Sequence, residues 1–294
     1  MRPAASARPA RPFAWLPALL LVALTGALSA CGGSTTSGAS ATTTAAPVTL
    51  NVYAAASLKA SFSTIGANFH TAHPNVTVTF NFGGSDTLAT QIDQGAPADV
   101  FASANITQMN VVVKAGMIDS STPVVFAHNR LVVVYPKSNP ANLQTLQDLA
   151  KSGVKIVLAA KTVPAGQYAL TFLTKASADP SFTPSYQADV LKNVVSYETD
   201  VTSVLTKVSL GEADAGIVYT TDAETVTSSV GTITIPDALN TVAAYPIAPV
   251  KASSHADVAQ QFDAYVLSSA GQAVLAQYGF LPATGSPQYT PPSA

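Results

Sequence analysis

Apolar runs alternate along this chain with amphipathic patterns of helical period, and small or hydroxyl residues stand at the junctions between them. After the apolar run at 49–53, for example, Ser57 precedes Leu58, Phe62 and Ile65, which fall on one face of a helix. Further runs typical of buried strands lie at 76–82, 99–102, 155–159, 194–197 and 215–219. Strands that alternate with helices predict an α/β fold with largely parallel sheets.

Two long β-like runs, at 130–135 and 245–250, divide this alternation into two series. We expect the first run to lead out of one lobe and the second to lead back into it. The predicted organisation is a first lobe of 48–134 and 243–281, a second lobe of 135–242, and a disordered tail of 282–294. A ligand would then lie in the cleft between the lobes, at the carboxyl ends of the strands.

Five short segments rich in small or hydroxyl residues carry the strongest functional signal. Four stand where an apolar run gives way to a helical pattern, and the fifth ends a strand on Tyr219. The five segments are 54–58, 83–88, 163–166, 199–201 and 216–219. The start of a helix presents unpaired backbone N–H groups and the positive end of the helix dipole, so several such starts aimed at one point would favour an anion. Taken singly, Ser57 and Ser85 would more commonly be N-caps of their helices.

The N-terminus has the pattern of an export signal. Three arginines precede an apolar stretch at 15–27, and Leu28-Ser29-Ala30-Cys31 follows. This ending resembles the bacterial lipobox, in which the cysteine is lipidated. We therefore predict a signal peptide at 1–30, a lipid anchor on Cys31, a flexible tether at 31–47, and a location on the outer face of the cell membrane. An ordinary signal peptide and a buried cysteine are the alternatives.

Composition and isolated motifs exclude several other functions. Three of the 14 basic residues precede Cys31, so the remaining 11 stand against 16 acidic ones, and a nucleic-acid partner is not expected. The pair His70 and His73 lacks further metal ligands nearby. The Ser-x-x-Lys pattern from Ser152 to Lys155 precedes a strand rather than opening a helix, so we do not predict an enzyme.

The ordered motifs of the chain resemble the molybdate-binding family of solute receptors. The matching motifs, in family order, are AAASL at 54–58, GGSDTLATQIDQGAPADVFASA at 83–104, VPAGQYA at 163–169, AGIVYTTDA at 215–223, YPIAPV at 245–250 and YGF at 278–280. The resemblance implies a two-lobed, type II periplasmic-binding-protein fold that closes on one oxyanion in the cleft between its lobes.

The resemblance also implies the residues of the site. These are the hydroxyls of Ser57, Ser85 and Tyr219 and the backbone N–H groups of Ala165 and Val201. They would hold molybdate or tungstate as an oxyanion, without direct metal ligands and without a cofactor. The implied partners are the permease and ATPase of an ABC importer, and the receptor itself is expected to be a monomer. Two alternatives remain. The protein could bind another oxyanion, such as sulfate or phosphate, or it could be a purely structural lipoprotein.

The carboxylate of Asp86 follows Ser85 directly and would repel an anion in the cleft. We expect this side chain to point outward from the first helical turn, where the helix dipole favours it.

Overall fold

The computed structural model describes residues 46–285 and 287–292. The predicted signal peptide, Cys31 and the tether up to residue 45 lie outside the described residues. The strands are β1 (Val48–Ala55), β2 (Val76–Gly83), β3 (Val100–Ala102), β4 (Val124–Asn129), β5 (Leu131–Pro136), β6 (Ile156–Ala159), β7 (Val194–Glu198), β8 (Ala215–Tyr219), β9 (Val230–Thr234) and β10 (Ala243–Pro249). The helices are α1 (Lys59–Ala72), α2 (Ser85–Asp93), α3 (Ile106–Lys114), α4 (Pro164–Ala178), α5 (Tyr186–Lys192), α6 (Val201–Ser209), α7 (Thr220–Glu224), α8 (Ala256–Leu267) and α9 (Ser269–Gln277), with 3₁₀ turns at Ala56–Leu58 and Leu146–Ala150.

The strands form two mixed sheets. The first has the order β2-β1-β3-β10-β4, and the second has the order β7-β6-β8-β5-β9. In the first sheet β1 pairs in parallel with β2 and β3, whereas β10 is antiparallel to β3 and β4. In the second sheet β6 pairs in parallel with β7 and β8, whereas β5 is antiparallel to β8 and β9. Flanking helices complete an α/β fold of two lobes, which confirms the predicted fold class.

The antiparallel strands mark where the chain passes between the sheets. β4 ends at Asn129 in the first sheet and β5 begins at Leu131 in the second. The return falls between Thr234, the last residue of β9, and Ala243, the first of β10. Two crossings at one side of the molecule suit a hinge. The exact lobe boundaries given from the sequence stay a prediction.

The first helix shows why the alternating pattern folds in this way. Phe62, Ile65 and Phe69 are fully buried, as their spacing predicts. The ring of Phe62 lies 5.5 Å from that of Phe126 on β4 and 6.1 Å from that of Phe262 on α8. Helix α1 therefore packs both on a strand of the first sheet and on a helix from the C-terminal part of the chain. Aromatic pairs at these distances stabilise beyond the area that they bury.

The C-terminal region differs from expectation in its helices. The periodic pattern at 256–278 predicts one helix, but Ser268 interrupts it with extended backbone and accepts a hydrogen bond from Gly271 N, which starts a second helix. The disordered tail expected at 282–294 stays a prediction, and the described part of this range contacts the first lobe. There the Tyr289 hydroxyl donates to Asn110 Oδ1 at 2.9 Å, and the ring packs on the first lobe.

None of the helices in the described residues combines the length and apolarity needed to cross a bilayer. Those residues also contain no cluster of three or more histidine, cysteine, aspartate or glutamate side chains able to hold a metal ion. His70 uses Nδ1 to contact Val76 O at 2.6 Å, and the ring of His73 packs against Phe69.

Candidate functional site

All five residues implied by the sequence resemblance line one small cavity between the two lobes. The cavity has a volume of about 10 Å³. Its lining residues are Ala55, Ala56, Ser57, Gly83, Gly84, Ser85, Ala104, Val163, Pro164, Ala165, Asp200, Val201 and Tyr219. They come from the carboxyl ends of β1, β2, β3 and β8 and from the starts of α2, α4 and α6. The structure therefore brings together every candidate binding residue.

Ser57 does not cap its helix, in contrast to the common use of serine at such a position. It lies within the 3₁₀ turn, and no side chain caps the turn or α1. Its Oγ instead lies 3.0 Å from the hydroxyl of Tyr245 on β10. Asn129 Nδ2 donates to that tyrosine oxygen at 3.4 Å. With a hydrogen supplied by Asn129, the Tyr245 hydroxyl can give its own proton to Ser57, which leaves the serine O–H free to donate into the cavity.

Ser85 does not cap its helix either. It is the first residue of α2, the N-cap position belongs to Gly84, and no side chain closes this helix end. The Oγ of Ser85 accepts a hydrogen bond from Ala104 N at 3.0 Å. The oxygen is thus already used as an acceptor, and its proton remains available as a second hydroxyl donor toward the cavity.

The second lobe contributes Ala165 and Val201 at the starts of two helices. Ala165 is the second residue of α4, after Pro164, and Val201 is the first residue of α6. Backbone N–H groups in a first turn have no partner within their own helix. Both residues are buried and line the cavity, so these N–H groups supply donors without a polar side chain.

Tyr219 ends β8 at the floor of the cavity. The side chain is 1% exposed, and its hydroxyl is buried without a hydrogen-bond partner in the described part of the chain. Burial, and then the neighbouring Tyr245, raise the pKa of the Tyr219 phenol well above its usual value of 10.0. The phenol therefore keeps its proton near neutral pH and offers an O–H donor. A buried donor without a partner costs free energy, so an acceptor in the cavity would stabilise the protein.

Among the residues that the structure describes, Asp200 is the only charged one that lines the cavity, and its carboxylate accepts hydrogen bonds from its own helix. Its Oδ1 accepts from Thr202 Oγ1 at 2.5 Å and from Ser203 N at 2.9 Å, and Oδ2 accepts from Ser203 Oγ at 3.0 Å. Burial opposes its ionisation, but these hydrogen bonds outweigh that effect and lower the pKa. The carboxylate of Asp200 therefore acts as the N-cap of α6.

Asp86 does not line the cavity, but the expectation that it points outward is wrong in part. The residue is half-buried, and its Oδ1 is buried without a hydrogen-bond partner. This oxygen lies beside Gly84, where a Cβ atom would stand 2.7 Å from Asp86 Oδ1 and 2.4 Å from the backbone oxygen of Thr199 in the second lobe. The lobes are therefore in van der Waals contact at Gly84, at the edge of the cavity.

A larger groove of about 720 Å³ lies beside the crossings between the sheets. Arg130, Lys137, Glu224 and Asp237 are among its lining residues, and none of the five candidate binding residues is. Arg130 pairs there with Asp237 at 2.8 Å, with both side chains substantially exposed. The groove lacks the buried donors of the small cavity, so we place the functional site in the cleft.

Sequence reasoning missed the residues that orient the donors. Tyr245 begins the motif at 245–250, but nothing in that motif shows that its hydroxyl meets Ser57, 188 positions away in the chain. Asn129 lies at the crossing between the sheets, where its Nδ2 also donates to Thr221 Oγ1 at 2.8 Å. The available signals were an asparagine at the end of one core strand and a tyrosine within another.

A two-lobed α/β fold with a donor-lined cleft defines the class of extracellular binding proteins. The family model described as bacterial extracellular solute-binding protein matches residues 50–281. The chain belongs to this family.

Individual relatives support the same assignment. The molybdate-binding protein ModA of Mycobacterium tuberculosis H37Rv is 39% identical over 262 residues, which cover 89% of this chain and 95% of that protein. A putative ABC transporter substrate-binding lipoprotein, YvgL of Bacillus subtilis, is 33% identical over 89% of this chain and 96% of its own length. The substrate-binding domain of a putative molybdenum ABC transporter from Clostridium difficile aligns with a TM-score of 0.59 at 31% identity, over 80% of this chain and 99% of that one.

Proposed function

We propose that this protein captures molybdate, and also tungstate, outside the cytoplasm and delivers it to an ABC importer. The observation that carries the proposal is the hydroxyl of Tyr219, which among the described residues is buried without a partner, in a cavity that the hydroxyls of Ser57 and Ser85 and the N–H groups of two helix starts also line. Such a cavity needs an acceptor that reaches several donors at once. The similarity to ModA proteins supports molybdate as that acceptor.

The donor set suits a tetrahedral dianion. Molybdate offers only acceptor oxygens near neutral pH, and no lysine or arginine of the described ranges lines the cavity. Hydrogen bonds to a charged group contribute roughly 1.5–3 kcal/mol each, so five donors can outweigh the cost of association without a cationic side chain. Because sulfate has the same shape and charge, discrimination must come from the size of the closed cavity. Binding requires no cofactor.

The role in import implies export, anchoring and partners. We propose that residues 1–30 are a signal peptide, that Cys31 carries the lipid anchor, and that the permease and ATPase of the importer recognise the closed monomer. The similarity to a putative lipoprotein supports the anchor. Catalysis is not part of the proposal, since the contacts of Ser57 and Ser85 are Tyr245 and Ala104 rather than a general base.

The test is thermal unfolding of the exported chain, residues 32–294, with molybdate, tungstate, sulfate or phosphate. Trp15 is the only tryptophan, so circular dichroism or a dye reports unfolding. A ligand at a hundredfold excess over its dissociation constant stabilises by about 2.7 kcal/mol. Stabilisation by molybdate and tungstate alone is the expected result. Stabilisation by sulfate or phosphate instead would replace the proposed ligand, and no stabilisation by any of the four would contradict an oxyanion receptor.

The anchor has a separate test. The variant Cys31→Ser should move the protein from the membrane fraction to the soluble fraction of fractionated cells. Retention in the membrane fraction would contradict lipidation at this residue.

A further inference from the structure

Two side-chain hydrogen bonds cross the cleft beside the cavity. Asn105 Nδ2 in the first lobe donates to Gln167 Oε1 in the second at 3.0 Å, and Gln108 Nε2 donates to Thr162 O at 3.1 Å. Gln167 Nε2 donates to the same Thr162 oxygen at 3.0 Å. The four residues Asn105, Gln108, Thr162 and Gln167 thus form one connected unit, which we call the amide network.

The amide network adjoins the binding residues on both sides. In the first lobe Asn105 is the N-cap of α3, where its Oδ1 accepts from Gln108 N at 2.8 Å, and it follows Ala104, whose N–H orients Ser85. In the second lobe Thr162 and Gln167 flank the lining residues Val163, Pro164 and Ala165. The network therefore connects the residue that orients Ser85 to the segment that carries Ala165 N–H.

A cap on α3 explains only half of the Asn105 side chain. Its Oδ1 serves the helix, but its Nδ2 is used only across the cleft. The Nε2 of Gln108, on the first turn of α3, likewise donates only across the cleft. Asn105 and Gln108 are both more than nine-tenths buried. Donors that pair only with the opposite lobe indicate that closure itself selects these contacts.

We propose that the amide network is a closure latch, formed when the lobes meet, in which Asn105 and Gln108 position the 162–167 segment over the bound anion. The assignment rests on the proposed function for the presence of an oxyanion, but not on which oxyanion it is. All four groups are neutral, so the latch holds the lobes together without placing a charge beside the ligand. When the cleft opens, water can satisfy the same amides, which makes the latch reversible.

Such a latch should act on release of the anion more than on its capture. The encounter takes place with the open protein, in which the latch is absent, whereas release requires that it break. Each crossing hydrogen bond exchanges with water and contributes modestly, so we expect loss of one of them to speed release by about fivefold to tenfold. Because Gln108 and Gln167 both donate to Thr162 O, the two losses should not be additive.

The experiment compares Gln108→Met, Gln167→Met and the double variant with the unchanged protein. Methionine keeps the length of glutamine, and it removes the Nε2 donor of Gln108 and, in Gln167, both the Nε2 donor and the Oε1 that accepts from Asn105. Gln147→Met is the matched control, because Gln147 Nε2 also donates to a backbone oxygen, Ser181 O at 3.2 Å, but entirely within the second lobe. Release is followed by chasing bound radiolabelled molybdate with excess unlabelled molybdate, and capture by rapid filtration.

The expected result is faster release in the two single variants, capture within about twofold of the unchanged protein, and an unchanged Tm of the anion-free protein. The control should match the unchanged protein in all three. Release at the unchanged rate in Gln108→Met and Gln167→Met would overturn the latch. Faster release accompanied by a lower Tm of the anion-free protein would also overturn it, because the variants would then have destabilised the open protein itself. Absence of molybdate binding by the unchanged protein would contradict the proposed function instead. Small-angle scattering with whichever of the four anions stabilises the protein then tests the latch separately from the identity of the ligand, and stabilisation by none of the four would overturn the latch as well, because it forms only around a bound oxyanion. The double variant should be less compact than the unchanged protein, and equal radii would overturn the latch.

Discussion

The two halves of the cavity donate hydrogen bonds in different ways. The first lobe uses side-chain hydroxyls, Ser57 and Ser85, and each is oriented by a second group, the Tyr245 hydroxyl or Ala104 N. The second lobe uses the N–H groups of Ala165 and Val201 at helix starts, and it adds one hydroxyl from Tyr219. Side-chain donors depend on residue type, whereas backbone donors depend on where a helix begins. The two halves should therefore respond differently to substitution.

The largest effect is expected where the halves meet. Gly84 has φ −60° and ψ 133°, a conformation that alanine adopts freely, yet a Cβ there would stand 2.4 Å from Thr199 O in the opposite lobe. Gly84→Ala should therefore fold normally but fail to close. We expect more than about a hundredfold loss of molybdate affinity, measured by calorimetry, because the anion is held only by the closed form.

The neighbouring glycine provides the comparison for that variant. A Cβ on Gly83 would lie 3.6 Å from Leu88 Cδ2, an ordinary contact within the first lobe. Gly83→Ala should therefore lose far less affinity than Gly84→Ala. Equal losses in the two variants would mean that contact between the lobes at Gly84 does not limit closure.

The hydroxyl donors come next in size. Ser85→Ala and Tyr219→Phe each remove one O–H from the cavity while keeping most of the buried volume. A lost hydrogen bond to a charged ligand costs about 1.5–3 kcal/mol, which is roughly ten- to a hundredfold in affinity. Thermal unfolding of the anion-free proteins should show that both variants fold. Unchanged affinity in both would refute this assignment of the site.

The backbone donors allow a test in which residue type should matter only through the N–H group. Val201 is the first residue of α6, a position where proline is tolerated, and Asp200 before it has extended backbone that proline permits. Val201→Pro should weaken binding by about tenfold or more, because it removes the donor. Val201→Ala keeps the donor and should bind nearly as well as the unchanged protein. Equal affinity of the two variants, measured by calorimetry, would show that this N–H group does not contact the anion.

This contrast also explains what could be predicted from the sequence. Strand–helix alternation and the small residues at its junctions were enough to predict an α/β fold, and the ordered motifs placed Ser57, Ser85 and Tyr219 at a common cavity. The sequence could not show that Tyr245 orients Ser57, because that contact depends on how β10 returns to the first sheet. The sequence also could not show the close contact between Gly84 and Thr199, because this contact forms only when the two lobes meet.

The smallest effect is expected from pH, and it should arise from the second half alone. Asp222 is 4% exposed and accepts a hydrogen bond from Tyr219 N at 3.1 Å, so it supports the tyrosine of that half. Burial raises the pKa of Asp222, the hydrogen bond from Tyr219 N opposes the rise, and the neighbouring Asp200 adds to it, so that the pKa is about 7. Tyr219 and Tyr245, with their own raised pKa values, stay neutral beside it. An ionised Asp222 would repel a dianion in the cavity, so anion binding favours its protonated form.

Molybdate affinity should therefore fall as pH rises through about 7, by at most about tenfold between pH 6 and pH 8. Asp222→Asn keeps an oxygen that can accept from Tyr219 N but cannot ionise, so its affinity should be level across this range. Calorimetry in buffers of different ionisation enthalpy measures the same linkage directly, as proton uptake on binding that the variant lacks. An equal pH dependence in both proteins would show that the titrating group is elsewhere. A level profile in both would show that the ionised carboxylate of Asp222 is shielded from the anion, and that the two halves of the cavity are electrostatically alike.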